Sequence, residues 1–223
     1  MPGTLKVDIW SDIACPWCYI GKRKFDRGIE DFRAAAGDDA PAVEVAYHSF
    51  ELAPDTPVDF EGSEAEFLQS HKGMPASQVR DMLGRVTAIA NETGLDYNFD
   101  ALQHTNTVKA HQLLHYAKSR GRQLEAKERL LRAYFIEGRH IGRDADLADL
   151  AAEIGLDRDD VLRSLSENEH LEEVRADQAL AQQYGITGVP FFVFDGKYGV
   201  SGAQEPASFA QVLDQVWNER EKV

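Results

Sequence analysis

Cys15 and Cys18 are the two cysteines of the chain, separated by Pro16 and Trp17 in the stretch "SDIACPWCYIGKRK". Two thiols at this spacing can close a disulfide, supply half of a metal site, or alternate between dithiol and disulfide. Proline is favoured at the first position of a helix, where its fixed φ and missing N–H cost nothing. A helix beginning at Pro16 puts the Cys15 sulfur at the helix N-terminus, facing unpaired backbone N–H groups and the positive end of the dipole. Both favour thiolate over thiol, and in such motifs the thiol pKa falls to roughly 3.5–7.5. Cys18 lies one turn further in, on the same face. The expectation is an exposed, attacking Cys15 and an inner, resolving Cys18.

The competing uses of the pair are weaker. A zinc site needs two further ligands, and there is no second cysteine pair. His111 and His115 in "HQLLH" are one helical turn apart and His104 could share their face, but the motif lacks the glutamate of a zinc protease. No metal is expected. A Cys-x-x-Cys at a strand-to-helix junction behind a βαβ start favours redox work. The second half of the site is "GITGVPFFVFDG". Proline is tolerated at the first position of a strand, so Gly188-Val189-Pro190 is by itself a turn before a strand. Beside the cysteines, a cis Val189–Pro190 bond would make a tight turn and leave Val189 backbone groups free to pair with an extended substrate segment. Val189 and Pro190 are therefore expected substrate-contact residues.

These residues must be held by the elements around them. Leu5, Val7 and Ile9 alternate with polar residues, which predicts a strand over Leu5–Trp10. Helical spacing follows from Pro16 to about Ala36, with Ile20, Phe25, Ile29 and Phe32 facing inward. "VEVAYHSFEL", Val43 to Leu52, predicts a second strand, and "APDTPVDFEGSE" a loop. A long helical region comes next, in which Val79, Met82, Leu83, Val86, Ile89 and Ala90, then Leu113, Leu114 and Ala117, then Leu130, Leu131, Tyr134 and Phe135, recur at helical spacing. "RDADLADLAAEIG" offers Asp144 as a helix start and Gly155 as a stop, and Asp157 caps one more helix. "VRADQALAQQYG" predicts a helix, "GVPFFVFDGKYGVSG" a hairpin turning at Asp195-Gly196, and "EPASFAQVLDQVWNEREK" a closing amphipathic helix. The outline is β-α-β, a helical block, then α-β-β-α.

The chain has 223 residues, 43% of them hydrophobic, with 24 basic against 38 acidic side chains and a net charge of -14. That length holds one domain with an insertion or two small domains. So acidic a surface opposes binding to a phosphate backbone, which relies on clustered Lys and Arg, and no nucleic-acid partner is expected. No apolar run is long enough to span a bilayer, and the N-terminus has no basic region followed by an apolar stretch. The expected location is cytoplasmic, with no membrane partner. Thiols are normally kept reduced there, which argues against a structural disulfide.

The order of these motifs is identifiable. CPWC after a first strand, a helical interruption, then "GVP" before a hairpin and a final helix, resembles the DsbA family of thioredoxin-fold oxidoreductases. More narrowly, "GLDYNFD", "NTVKAHQLLHYAKSRG", "YFIEGRHIG" and "GVPFFVFDGKYGVSGAQ" resemble its FrnE-like branch. The resemblance implies an α/β thioredoxin-like unit, residues 1–60 and 172–223, interrupted by a helical insertion domain, 61–171. It implies Cys15 as nucleophile, Cys18 as resolving thiol, Pro190 as the cis-proline, Pro16 and Trp17 on the substrate contact surface, and Asn106 to Gln112 on the insertion facing the groove; the alternative for Trp17 is a ring packed back on the fold. Asn106 and Thr105 are also ordinary helix-capping residues. The substrate implied is a disulfide-containing protein or small thiol, with glutathione or a thioredoxin-type protein as recycling partner and no cofactor beyond the cysteine pair.

Two departures qualify the likeness. Periplasmic relatives carry a histidine between the cysteines where Pro-Trp stands here, so a less oxidising pair is expected. Some FrnE-like proteins have a second cysteine pair that this chain lacks. Lys22, Arg23 and Lys24 follow on the same helix and either add positive potential or form a solvated face. The same superfamily includes 2-hydroxychromene-2-carboxylate isomerase and the kappa-class glutathione transferases, with serine where Cys15 stands. That alternative keeps glutathione as co-substrate. A non-catalytic, chaperone-like binding module is the third class.

Overall fold

The computed structural model describes residues 3–220. Alternating burial makes Leu5–Ser11 a strand, β1, with Leu5, Val7 and Ile9 each 1% exposed. Helix α1, Pro16–Ala36, follows directly and has proline in its first turn. The chain returns as β2, Val43–Ser49, parallel to β1 with Leu5 opposite Val43 and Ser11 opposite Ser49. After the helical block, β3, Phe191–Phe194, lies antiparallel on the other side of β1, and β4, Tyr198–Ser201, pairs with β3. The sheet order is β2-β1-β3-β4. This is the β-α-β, α-β-β-α outline of the sequence, with its strands in one sheet. The hairpin turns at Asp195 and Gly196, whose φ values of 50° and 66° fit the type I′ turn that matches strand twist.

Between β2 and β3 stand seven helices: α2 (Glu64–Lys72), α3 (Ala76–Glu92), α4 (Val108–Ser119), α5 (Gln123–Phe135), α6 (Asp144–Glu153), α7 (Arg158–Glu167) and α8 (Leu171–Gln183). Helix α9, Pro206–Arg220, closes the chain. Among the described residues, no helix is long and apolar enough to cross a membrane. Asp157 caps α7 through its side chain, which accepts from the Asp160 N–H. Asp144 is the first residue of α6 rather than its cap, which is Arg143. A carboxylate there still suits the positive end of the helix dipole.

Three apolar clusters fill the molecule, and α1 contributes to two of them. Phe25, Ile29 and Phe32 pack with β1, β3 and α9 residues such as Phe192, Phe194 and Phe209. Ile20 and Tyr19, with Ile13 just before the helix, pack with the helical block. Gly28 permits the close crossing of α1 and α9, because a Cβ there would stand 2.7 Å from the Phe209 Cβ and 2.8 Å from the Pro206 carbonyl oxygen.

Strand β2 ends at Ser49, three residues short of the expected Leu52. The Ser49 N–H donates to Asp177 Oδ2 at 2.8 Å, and the Leu52 N–H donates to Asp12 Oδ2 at 2.8 Å. The chain leaves the sheet to make these bonds. Asp177, on α8, also meets His48 Nδ1 at 2.7 Å and His115 Nε2 at 3.1 Å, while His48 Nε2 reaches Asp8 Oδ1 at 2.9 Å. The His48 ring stacks on Trp10 at 4.5 Å, and the Trp10 indole N–H donates to the Asp177 carbonyl at 3.0 Å. Burial opposes charge on His48, but the two carboxylates prevail and push its pKa up to about 9. Burial also opposes charge on Asp177, and its bonds to His115 and His48 hold it well below the usual carboxylate range.

A raised histidine stabilises the fold fully below its unfolded pKa, and the contribution fades as pH climbs through the folded value. A depressed carboxylate contributes above its unfolded pKa and loses that contribution in acid. His48→Gln should therefore cost most between about pH 3.8 and 6.5, with the difference from wild type shrinking towards pH 9. Urea unfolding of both proteins across that range is the measurement, and a pH-independent difference would contradict the assignment.

Candidate functional site

The first turn of α1 is fixed from several directions. Cys15 is the N-cap, in extended conformation, and its carbonyl accepts the Cys18 N–H at 3.0 Å. The Tyr97 hydroxyl donates to the Pro16 carbonyl at 2.7 Å. Both cysteines are free thiols. Contrary to the expectation of an exposed Cys15 and an inner Cys18, both are buried, at 3% and 2% exposure. The loop before β3 covers them. The Val189–Pro190 peptide is cis, and the Cys15 thiol donates to the Val189 carbonyl at 3.5 Å. Gly21 allows that loop to sit against α1, since a Cβ there would lie 2.9 Å from Pro190 Cγ.

What separates the sulfurs is access. A cavity of about 340 Å³ opens beside Cys15, Pro16, Trp17, Gly188 and Val189, and Cys18 is not among its walls. Its far wall is apolar, from Leu68 of α2 and Met82, Leu83 and Val86 of α3. A second cavity of about 440 Å³ shares Leu52, Ala53, Phe67 and His71 with it and continues along the proline-containing loop. Trp17 lines the first cavity and is 39% exposed.

Electrostatics separate them too. The hydrogen bond to Cys18, then burial, then the Asp12 charge push the Cys15 thiol well above its ordinary value, and the Cys18 N–H does not compensate. Burial also opposes charge on Cys18. There the Cys15 hydrogen bond, the Lys127 charge, the Ser11 hydroxyl and a backbone bond from Asp12 prevail, and its pKa is lowered. The two thiols share a hydrogen bond and titrate as a pair. The helix terminus that acts on Cys15 is visible from the order of residues, whereas Lys127, whose charge acts on Cys18, is not.

Asp12 is the carboxylate beneath the site, 1% exposed. It accepts from His111 Nε2 at 3.2 Å, from the Leu52 N–H, and from the Ala14 N–H at 3.4 Å. Burial raises its pKa, but the His111 bond and charge more than offset that. The three histidines weighed as metal ligands point to separate partners: His111 to Asp12, His115 to Ser49 and Asp177, and His104 to Glu64 at 2.6 Å. Among the described residues, no three potential ligands cluster. In the segment Asn106 to Gln112, Thr107 lines the cavity, while Asn106 accepts the Val108 N–H at 2.9 Å and donates to the Pro54 carbonyl at 2.8 Å. Asn106 is thus a local cap that also ties down the loop.

Lys22, Arg23 and Lys24 neither add free positive potential nor form a solvated face. Lys22 and Arg23 pair with Glu128 of α5, and Lys24 pairs with Glu205 before α9. Asp12, Tyr97 and Lys127 are the site residues that sequence reasoning missed. A usable signal exists for Lys127: it stands at the apolar register of Leu130, Leu131 and Tyr134, three, four and seven residues on, all buried.

The model of the DSBA-like thioredoxin domain matches residues 6–214. The uncharacterized protein YwbO of Bacillus subtilis is 30% identical over 214 residues, 94% of this chain and 96% of its own. The crystal structure of a probable DsbA oxidoreductase from Streptomyces coelicolor is 40% identical, with a TM-score of 0.87 over 96% of this chain and 91% of its own. The cytosolic disulfide reductase DsbM of Pseudomonas aeruginosa, solved alone and with GSH, shares the fold at 19% identity, with a TM-score of 0.64 over 96% of this chain and 98% of its own.

Removing one partner of a buried charged pair strands the other, at a cost of about 3–5 kcal/mol. His111→Leu should lower the unfolding free energy by about that amount, and Asp12→Asn in the same chain should recover much of it. Denaturant unfolding of the two single variants and the double variant measures this coupling; additive effects would show that the pair does not act as one.

Proposed function

The chain belongs to the DSBA-like thioredoxin domain family, and from that premise we propose that it is a thiol–disulfide oxidoreductase working through Cys15 and Cys18, in the FrnE-like branch. The observation that carries this reading is the pair of free, hydrogen-bonded thiols, one of which meets both the Val189 carbonyl and the cavity beside Trp17. A substrate disulfide enters beside Trp17 and is attacked by Cys15 as the shared proton shifts to Cys18. The Cys15–substrate bond forms and the first substrate thiol leaves. Cys18 then attacks Cys15 Sγ, the internal disulfide closes, and the second substrate thiol leaves with its electron pair. Val189 and Pro190 shape the docking edge, and Pro16 with Trp17 forms the opposing rim.

We place the reaction in the reducing direction, or in isomerisation, in a cytoplasmic setting. There a thiol such as glutathione, or a thioredoxin-type protein, returns the oxidised pair to dithiol. The division into a thioredoxin-like unit, 1–60 and 172–223, and a helical insertion, 61–171, belongs to the same reading and is supported by two of the apolar clusters.

Cys15→Ser should abolish reduction of a model protein disulfide. Cys18→Ala should leave the first attack intact but trap mixed disulfides on Cys15, with multiple turnover lost. Gel analysis under non-reducing conditions and a turnover assay read the two effects. Turnover that survives loss of Cys18, or isomerisation of a chromene carboxylate with glutathione in its place, would transfer the case to the glutathione-dependent isomerases. Function that survives loss of both sulfurs would make the protein a binding module.

A further inference from the structure

Helix α2 turns Glu64, Phe67, Leu68, His71 and Lys72 towards the cavity beside Cys15. Their spacing of three and four residues is one face of a helix, the face that ordinarily packs into a core. Here it covers an open space instead. Glu64 and Leu68 are the buried residues of α2, and among the described residues Leu68 joins none of the three apolar clusters. Gly62 precedes the Ser63–Glu66 capping box that starts the helix, and Gly73, at φ 63°, ends it. Helix α3 beyond is rooted by buried Val79, Val86 and Ala90. Helices in proteins are held mostly by the packing of their apolar face. With so little of that, α2 needs another hold on the body of the protein.

His104, four residues before α4 and 5% exposed, supplies that hold. Its Nδ1–H donates to Glu64 Oε2 at 2.6 Å. Its ring lies nearly parallel to that of Phe67, with centroids 3.5 Å apart. Phe60, just before α2, meets both rings edge-on, at 5.6 Å from Phe67 and 5.5 Å from His104. The Tyr134 hydroxyl of α5 stands 3.3 Å from the same Nδ1, which ties the ring to the helical core behind it. The other ring nitrogen, Nε2, is buried without a hydrogen-bond partner. A buried polar atom is seldom left so, and the two contacts with α2 account for the ring being there.

We infer that His104 is a positioning residue: by gripping Glu64 and Phe67 it holds α2 as the roof of the Cys15 cavity, and so determines which disulfides reach the sulfur. This rests on the exchange chemistry proposed above. With the grip made, Cys15 is 3% exposed and a substrate has to fit a cavity of about 340 Å³. A compact disulfide fits and packs against the inner face of α2. A disulfide on a folded protein reaches Cys15 only when the roof lifts, with Gly62 and Gly73 at either end of the moving helix. The two substrates therefore draw on different positions of α2, and the His104 contacts, made in the closed position alone, set the balance between them. His104 bonds to no substrate atom in this scheme, and acts on the reaction through α2.

His104→Leu, which removes the bond and the stack together, tests the inference on the full chain. Amide hydrogen exchange over α2 should quicken about tenfold, while β1 and α1 keep their wild-type rates. With hydroxyethyl disulfide as the compact substrate and insulin as the bulky one, the ratio of kcat/KM for insulin to that for the compact disulfide should rise about tenfold. For the compact substrate the loss should fall on KM rather than kcat. Glu64→Gln still accepts the Nδ1–H, and should move both readouts less than Glu64→Ala. An unchanged ratio, unchanged exchange over α2, or an equal loss on both substrates would overturn the inference, the last by making His104 merely structural. Should His104→Leu not fold, Glu64→Ala carries the same two readouts with the ring in place. Wild-type protein that reduces neither disulfide would instead sink the proposed function. Alkylation of Cys15 would then still judge the roof, because His104→Leu should speed fluorescein maleimide about tenfold more than iodoacetamide, and equal speeding would refute it.

Discussion

A charge inside a protein has to be answered by the protein, because water is not there to do it. At the start of α1 that constraint acts on four groups at once. Cys15, Cys18, Asp12 and Lys127 are each 3% exposed or less, and none can change its charge without consequence for the other three. Asp12 is satisfied by His111 and by the backbone of the loop that leaves β2. The sulfurs are satisfied by one another and by Lys127. The positions of the neighbouring helices follow from supplying these partners.

Helices α4, α5 and α8 each send polar side chains into the sheet layer rather than only packing beside it. Helix α4 contributes His111 and His115, α5 contributes Gln123 and Lys127, and α8 contributes Asp177. The edge strand β2 is thereby covered, which leaves its unpaired backbone unavailable to other chains. The helical block is not an ornament on a finished sheet. Without it Asp12 and Cys18 would lack the His111 and Lys127 charges that act on them.

The features legible in the sequence are those decided locally. Alternation at Leu5, Val7 and Ile9, proline at position 16, the Asp157 cap and the Asp195-Gly196 turn each depend on a few adjacent residues, and each is found where the pattern puts it. The cysteine pair is legible for the same reason. Asp12, Tyr97 and Lys127 are not, because their roles arise from partners between about 80 and 110 residues away, brought together by packing. The helix terminus acts on Cys15 from next door, but the lysine that acts on Cys18 arrives from α5.

Burial of Cys15 has a bearing on what the protein does not react with. A sulfur 3% exposed at the end of one cavity, with Trp17 at its rim, meets reagents in proportion to their shape before their reactivity counts. The apolar wall of Leu68, Met82, Leu83 and Val86 favours groups slender enough to enter and apolar enough to shed water against it. The cavity therefore works as a sieve placed ahead of the chemistry. A thiol reached only through such an opening is screened by the shape of its surroundings rather than by its own chemistry.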